Sequence, residues 1–156
     1  MNEHRLRAIK TDQTLSFQSP LLMDLLNYWQ TKRGDRSMPA RAAIDPLEMR
    51  AHIGHLILVD VIGSPPRFRY RLIGSEVTRR VGRDSTGKYL DALYSPAVYE
   101  AMIVSYEWIV ANRRPMRCTG NLQHANREWI GFESIDLPLS DDDHEVNMLI
   151  TRGVYT

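Results

Sequence analysis

Residues 82–89 read GRDSTGKY, a G-x-x-x-x-G-K frame closed by Tyr89. In a nucleotide-binding loop, glycine amides cradle phosphates and the lysine reaches them. A Ser or Thr directly after it then holds magnesium. Tyr89 stands where that hydroxyl is needed and cannot replace it. The residues before Gly82, SEVTRRV, read as helix rather than as the buried strand that must feed such a loop. The frame is therefore read as two punctuation glycines. Gly82 ends a helix and Gly87 makes a turn between two short helices.

Other groups capable of chemistry are scattered. The five histidines are His4, His52, His55, His124 and His144. None has H-x-x-x-H spacing, and His52 and His55 straddle a helix end and a strand start, so they read as packed or solvated side chains. The run DDDHE at 141–145 lacks the alternation and central glycine of a calcium loop and reads as a polar hairpin turn. Cys118 is the only cysteine. It excludes an intrachain disulfide and a cysteine-based zinc site, and it has no base near it in sequence. Asp60 and Asp136 are carboxylates on predicted strands.

The chain has 156 residues, which suits one domain able to bury about 70% of its unfolded surface. Hydrophobic residues make up 43% and charged residues 25%, and the formal net charge is +1. So small a charge offers little to a polyanion, and no nucleic-acid partner is expected. The first residues, MNEHRLRAIKTDQ, have no apolar run of signal-peptide length, and no stretch is long enough to span a bilayer. A cytoplasmic protein with no membrane partner is expected.

Residues 1–18 show no periodicity and are expected to form a loose lead-in. Ser19-Pro20 is a helix start, serine suiting the N-cap and proline the first turn. Leu21, Leu22, Leu25, Leu26 and Trp29 follow at helical spacing, and Lys32, Arg33 and Gly34 form a stop. An irregular crossing, RSMPARAAIDPLEM, ends in a short helix opened by Asp45-Pro46. HLILVDVI (55–62) and RFRYRLI (67–73) read as a hairpin around Gly63-Ser64-Pro65-Pro66. In the second strand Phe68, Tyr70 and Leu72 are expected on one face, Arg69 and Arg71 on the other. Short helices follow. A long helix starts at Ser95-Pro96 with Val98, Met102, Tyr106, Ile109 and Val110 as its buried stripe, and Pro115 stops it. Three strands complete the chain, at about 116–123, 128–138 and 146–155. Turns are expected at His124-Ala125-Asn126 and at 140–143. Strands grouped in two blocks with helices between them argue an α+β antiparallel sheet whose helical block encloses a pocket.

Residues 68–93 resemble the heart of a PAS domain. The carrying residues are Tyr70 to Leu72, the short helix over Val77–Val81, Gly82, then Gly87-Lys88 and Leu90. The asparagine frequent after the second strand of that superfamily is replaced by Gly74-Ser75. The stretches YWQTKRG, MPARAAIDPLEM, HLILVDV and RFRYRLIG look most like one bacterial family of stand-alone PAS-like proteins, formerly catalogued as a domain of unknown function. The resemblance spans about residues 20–155. It implies a five-stranded antiparallel sheet with helices on one face and an extra amphipathic N-terminal helix. That makes 19–156 one domain, with helix 19–33 flanking its core.

Two cofactors of PAS domains lose their anchoring residue here. A haem-binding PAS offers a histidine from the long middle helix, and 96–112 contains none. A photoadduct flavin needs a cysteine on the helices after the second strand, and 75–112 contains none. A small apolar ligand, an unrecorded metabolite or an empty core remains open. The expected pocket residues are Phe68, Tyr70, Leu72, Val77, Val81, Trp108 and Phe132, with Arg71 and Arg117 as candidate anion contacts. In PAS proteins a flanking helix covers the open sheet face or forms a dimer seam. Leu22, Leu25, Leu26 and Trp29 are the residues for either use, and a homodimer is expected.

The resulting reading is a non-catalytic sensory or regulatory module. It binds a small ligand or a separate signalling protein and acts through protein–protein contacts, because 156 residues leave no room for an output domain. One rival is a small cone-shaped α+β enzyme, like the isomerase and dehydratase relatives of nuclear transport factor two. A dry Asp60 or Asp136 facing a cavity would favour it. Another rival is an adaptor with a filled core.

Overall fold

The computed structural model describes residues 6–123 and 129–155. The element order is β1 (Leu6–Asp12), α1 (Pro20–Arg33), β2 (Leu56–Ile62), β3 (Arg67–Ile73), α2 (Ser75–Val81), α3 (Leu90–Leu93), α4 (Pro96–Asn112), β4 (Met116–Gln123), β5 (Trp129–Leu139) and β6 (Met148–Tyr155). Three single 3₁₀ turns, at 41–43, 46–49 and 53–55, carry the chain from α1 to β2. The turn expected at 124–126 lies outside the described residues.

The strands form one antiparallel sheet in the order β1-β4-β5-β6-β2-β3. It has six strands rather than five. The sixth is β1, inside the stretch expected as a loose lead-in. Its sequence, LRAIKTD, has no clean alternation, and its pairing with β4 carries a register break between Arg7 and Lys10. It is an edge strand recruited by its neighbour rather than by its own pattern. Asp12 on it meets Arg117 at 3.1 Å, which fastens the edge.

Alternation along β5 decides the two sides of the sheet. Ile135, Leu137 and Leu139 are fully buried on one face. That face is covered by α1, whose Leu22, Leu25, Leu26 and Trp29 are buried in the same core. The Trp29 indole N–H donates to the Pro138 carbonyl at 2.8 Å. The helix expected to flank the core thus lies back on its own sheet, so its apolar stripe is not free to form a dimer seam. Helices α2 to α4 lie across the other face. The helical block thus lies on one face and the extra N-terminal helix covers the other, because the stripe of α1 needs an apolar surface and the outer face of β5 and β6 supplies it.

The two glycines of the phosphate-loop frame are structural. Gly82 ends α2 in the left-handed conformation, and its N–H bonds the Thr78 carbonyl. Gly87 has φ +86 and donates to the Tyr70 carbonyl at 2.7 Å, while the Tyr70 N–H bonds the Lys88 carbonyl at 3.0 Å. The loop thus lies along the open edge of β3 and satisfies its backbone. The acidic turn after β5 is also structural. Asp142 accepts from the N–H groups of Glu145 and His144 and from the Ser140 hydroxyl, and these bonds hold its carboxyl down at about 2. Asp143 accepts from the N–H groups of Ser37 and Met38, which ties the crossing segment to the sheet.

Candidate functional site

A cavity of about 910 Å³ lies between α2, α4 and the sheet. This size takes a small molecule. The sheet contributes alternate residues, as its pleat requires: Ile57, Tyr70, Cys118, Phe132, Ser134, Asp136 and Thr151. Helix α4 contributes Ala101, Met102, Val104, Ser105 and Tyr106, and α2 contributes Val77, Arg79, Arg80 and Val81.

The deep wall is polar. Asp136 is only 4% exposed. One of its oxygens accepts a short hydrogen bond from the Thr151 hydroxyl. The other takes the Cys118 thiol at 3.8 Å, a long and weak contact, and Ser105 also bonds the carboxyl. Burial pushes the Asp136 carboxyl up to about 6, against the pull of these donors. Burial, and then the neighbouring Asp136, push the Cys118 thiol up to about 12, so it is a packed thiol and not a nucleophile. Burial raises the phenols of Tyr106 and Tyr70 as well, and the Tyr70 hydroxyl pairs with that of Tyr94 at 2.9 Å.

The mouth is apolar with a charged rim. Val81, Val104 and Tyr155 line the cavity yet remain 48%, 58% and 37% exposed. Arg79 is paired with Glu76 at 2.6 Å, and the Arg80 guanidinium lies 4.3 Å above the Tyr155 ring.

Four of the seven expected pocket residues line this cavity: Tyr70, Val77, Val81 and Phe132. Phe68 is buried but stands behind the wall, its ring 5.3 Å from that of Tyr106. Trp108 sits one turn past the α4 residues of the lining, half-buried, with Arg114 over its ring. Leu72 is 45% exposed and faces the other way. The cause is a β-bulge. Leu58 pairs with Leu72 but Val59 pairs with Tyr70, so Arg71 is the extra residue and every side chain after it changes face. Strict alternation had placed Leu72 with Phe68 and Tyr70.

Neither arginine expected to meet an anion stands in the lining. Arg117 is held between Asp12 and Glu133, at 3.1 and 2.7 Å, on the face that carries α1. Glu133 also accepts from the N–H groups of Gln18 and Ser19. Burial alone raises its carboxyl, but those bonds and Arg117 outweigh it and hold the group below its usual range. Arg71 is exposed, 4.0 Å from Asp60. Asp60 is paired with Arg69 at 3.0 Å and lies outside the cavity lining, so Asp136 is the strand carboxylate that faces the cavity.

Ser105, Cys118, Ser134, Asp136 and Thr151 are site residues that no motif announced. A signal was present in F-E-S-I-D-L. Ile135 and Leu137 demand one covered face, and Phe132, Ser134 and Asp136 then share the other. Polar groups at alternate places of a central strand mark a lined cavity rather than a sealed core.

One solved structure shares this architecture, and other likenesses are weaker. The solved PAS domain of a protein from Colwellia psychrerythraea is 14% identical, with a TM-score of 0.52, and the match covers 72% of this chain and 98% of that one. A sensory box histidine kinase/response regulator from Burkholderia thailandensis is 7% identical over 72% of this chain and 85% of that one, with a TM-score of 0.43. An RNA-binding light-oxygen-voltage receptor is 12% identical, with a TM-score of 0.48. It matches 97% of this chain, which spans 39% of that receptor. No curated protein matches the sequence. A sequence model of the PAS domain matches residues 17–155, from just before the N-cap of α1 to the last residue of β6, and the chain belongs to that family.

Proposed function

We propose that the protein is a sensory or regulatory PAS module of the cytoplasm. It takes up a small ligand between α4 and the sheet and passes occupancy on by altered contact with a separate protein, with 19–156 as the working unit. The observation that carries this reading is the cavity of about 910 Å³ in a domain whose surrounding core is closely packed. An open space of that size, walled on one side by α2 and α4, gives a ligand a means to favour one arrangement of the helices over another. The net charge of +1 favours a protein partner over nucleic acid. A homodimer remains part of the reading only through a surface other than the buried stripe of α1. The cavity weighs against an adaptor with a filled core.

The test is native mass spectrometry of protein purified from its own host, beside a Met102→Trp variant that fills the cavity from α4. A small molecule retained by the first and lost by the second is expected. An unliganded protein whose melting temperature ignores a host metabolite extract would overturn the reading.

Asp136 favours a second reading, a small enzyme using that carboxyl as acid or base. It is buried, it faces the cavity, and its burial poises it near 6. The retained molecule separates the two. A bound module returns it unchanged after long incubation. An enzyme converts it, and Asp136→Asn stops the conversion.

A further inference from the structure

We propose that the cavity is built for a cationic guest: a protonated amine on an apolar or aromatic body, with its ammonium seated against the Asp136 carboxylate. The inference rests on reading the cavity as a ligand site and names the chemistry of that ligand.

A buried carboxylate is costly unless a cation or several good donors meet it. Among the described residues, the groups that bond Asp136 are all neutral: the Thr151 and Ser105 hydroxyls and the Cys118 thiol. No arginine, lysine or histidine among them pairs with it. The oxygen facing Cys118 meets that thiol at 3.8 Å, a weak contact that leaves it lone-pair capacity for a stronger donor.

The remaining walls suit the same guest. Tyr70, Tyr106, Phe132 and Tyr155 line the cavity, and aromatic faces attract cations. The two arginines of the lining stand at the rim and are engaged. Arg79 is neutralised by Glu76 beside it, and Arg80 lies over Tyr155. The positive charge therefore sits outside and the uncompensated negative charge inside. A neutral guest would leave the buried carboxylate without a counter-charge. An anion would face it directly.

The test uses matched pairs: phenethylamine against phenethyl alcohol, and hexylamine against hexanol. Each is titrated calorimetrically at neutral pH into the full chain and into Asp136→Asn. The neutral dye Nile red reports separately whether the cavity takes any guest. Each amine is expected to bind at least about tenfold more tightly than its alcohol, and the preference should vanish in the variant. The comparison within the unaltered chain decides the matter even if the variant does not fold. Amines that bind no better than alcohols, while Nile red binds and is displaced, overturn the cationic guest and leave the ligand cavity standing. A preference that survives Asp136→Asn overturns it too. If neither dye nor any pair member binds, the cavity reading falls and takes the inference with it.

Discussion

A carboxyl that titrates near 6 in the folded chain but near 3.8 when unfolded favours folding only while it is protonated. For Asp136 the unfolded chain gives up its proton first. Its contribution is therefore fully present below about pH 3.8, is lost as pH rises through 6, and is absent above it. The difference is worth about 3 kcal/mol. An amide in its place has no such dependence. Asp136→Asn should gain about 2 kcal/mol relative to the unaltered chain between pH 4 and pH 8, read from denaturant midpoints at both. A gap that does not change with pH would mean that the carboxyl is solvated or paired with a cation. Gly74 makes a different demand. A Cβ there would lie 2.3 Å from the Gly54 carbonyl oxygen. Its own N–H bonds the Leu56 carbonyl at 2.7 Å, which pins that approach. Backbone cannot retreat as a side-chain tip can. Gly74→Ala should therefore cost about 1–3 kcal/mol, measured by thermal unfolding, and a neutral result would show that the 53–55 turn moves freely against α2.

Elements announced themselves when their own residues held the reason for them, and stayed hidden when a neighbour did. Helix α1 was legible because Ser19-Pro20 opens it, an apolar stripe fills it and Gly34 closes it. Strands β2 and β3 were legible as a hairpin, but the bulge at Arg71 was not, since nothing in RFRYRLI marks the residue that loses its partner. Strand β1 was invisible because its place depends on the edge of β4 and on the Asp12–Arg117 pair, both far away in sequence. The cavity was half legible for the same reason. Tyr70, Val77, Val81 and Phe132 follow from periodicity, whereas the donors around Asp136 come from α4, β4 and β6 and meet only in the folded sheet. What α1 contributes is measurable at its middle. Leu25 is fully buried between the helix and the outer face of the sheet. Leu25→Ala should cost about 2–5 kcal/mol and lower the melting temperature by about 5–15 °C. A much smaller loss would show that α1 rests on the sheet without supporting it.

The sheet as a whole separates two unlike halves. Its outer face is sealed by α1 and the crossing segment over 36–55, and its inner face is hollow under α2 and α4. The outer seal is large relative to the stability of a domain of this size. Ile135, Leu137, Leu139 and Ile150 are each at most 1% exposed beneath it. Uncovering four aliphatic side chains costs about 6–12 kcal/mol at 1.5–3 each, and a whole domain holds together by about 5–15. A chain that starts at Met38 lacks α1 and should therefore fail as a soluble monomer. Light scattering should find it aggregated or paired through the bared sheet, with the full chain free of that association. A folded, monomeric Met38 chain would mean that α1 is an appendage and that the outer face tolerates water. If the seal is as firm as its burial indicates, α1 cannot lift from the sheet in response to a small guest, because the uncovering cost exceeds what such a ligand's differential affinity supplies. The exposed rim of α2 and α4, where Val81 and Val104 already meet solvent, is then the part of the molecule that a bound ligand can rearrange at modest cost.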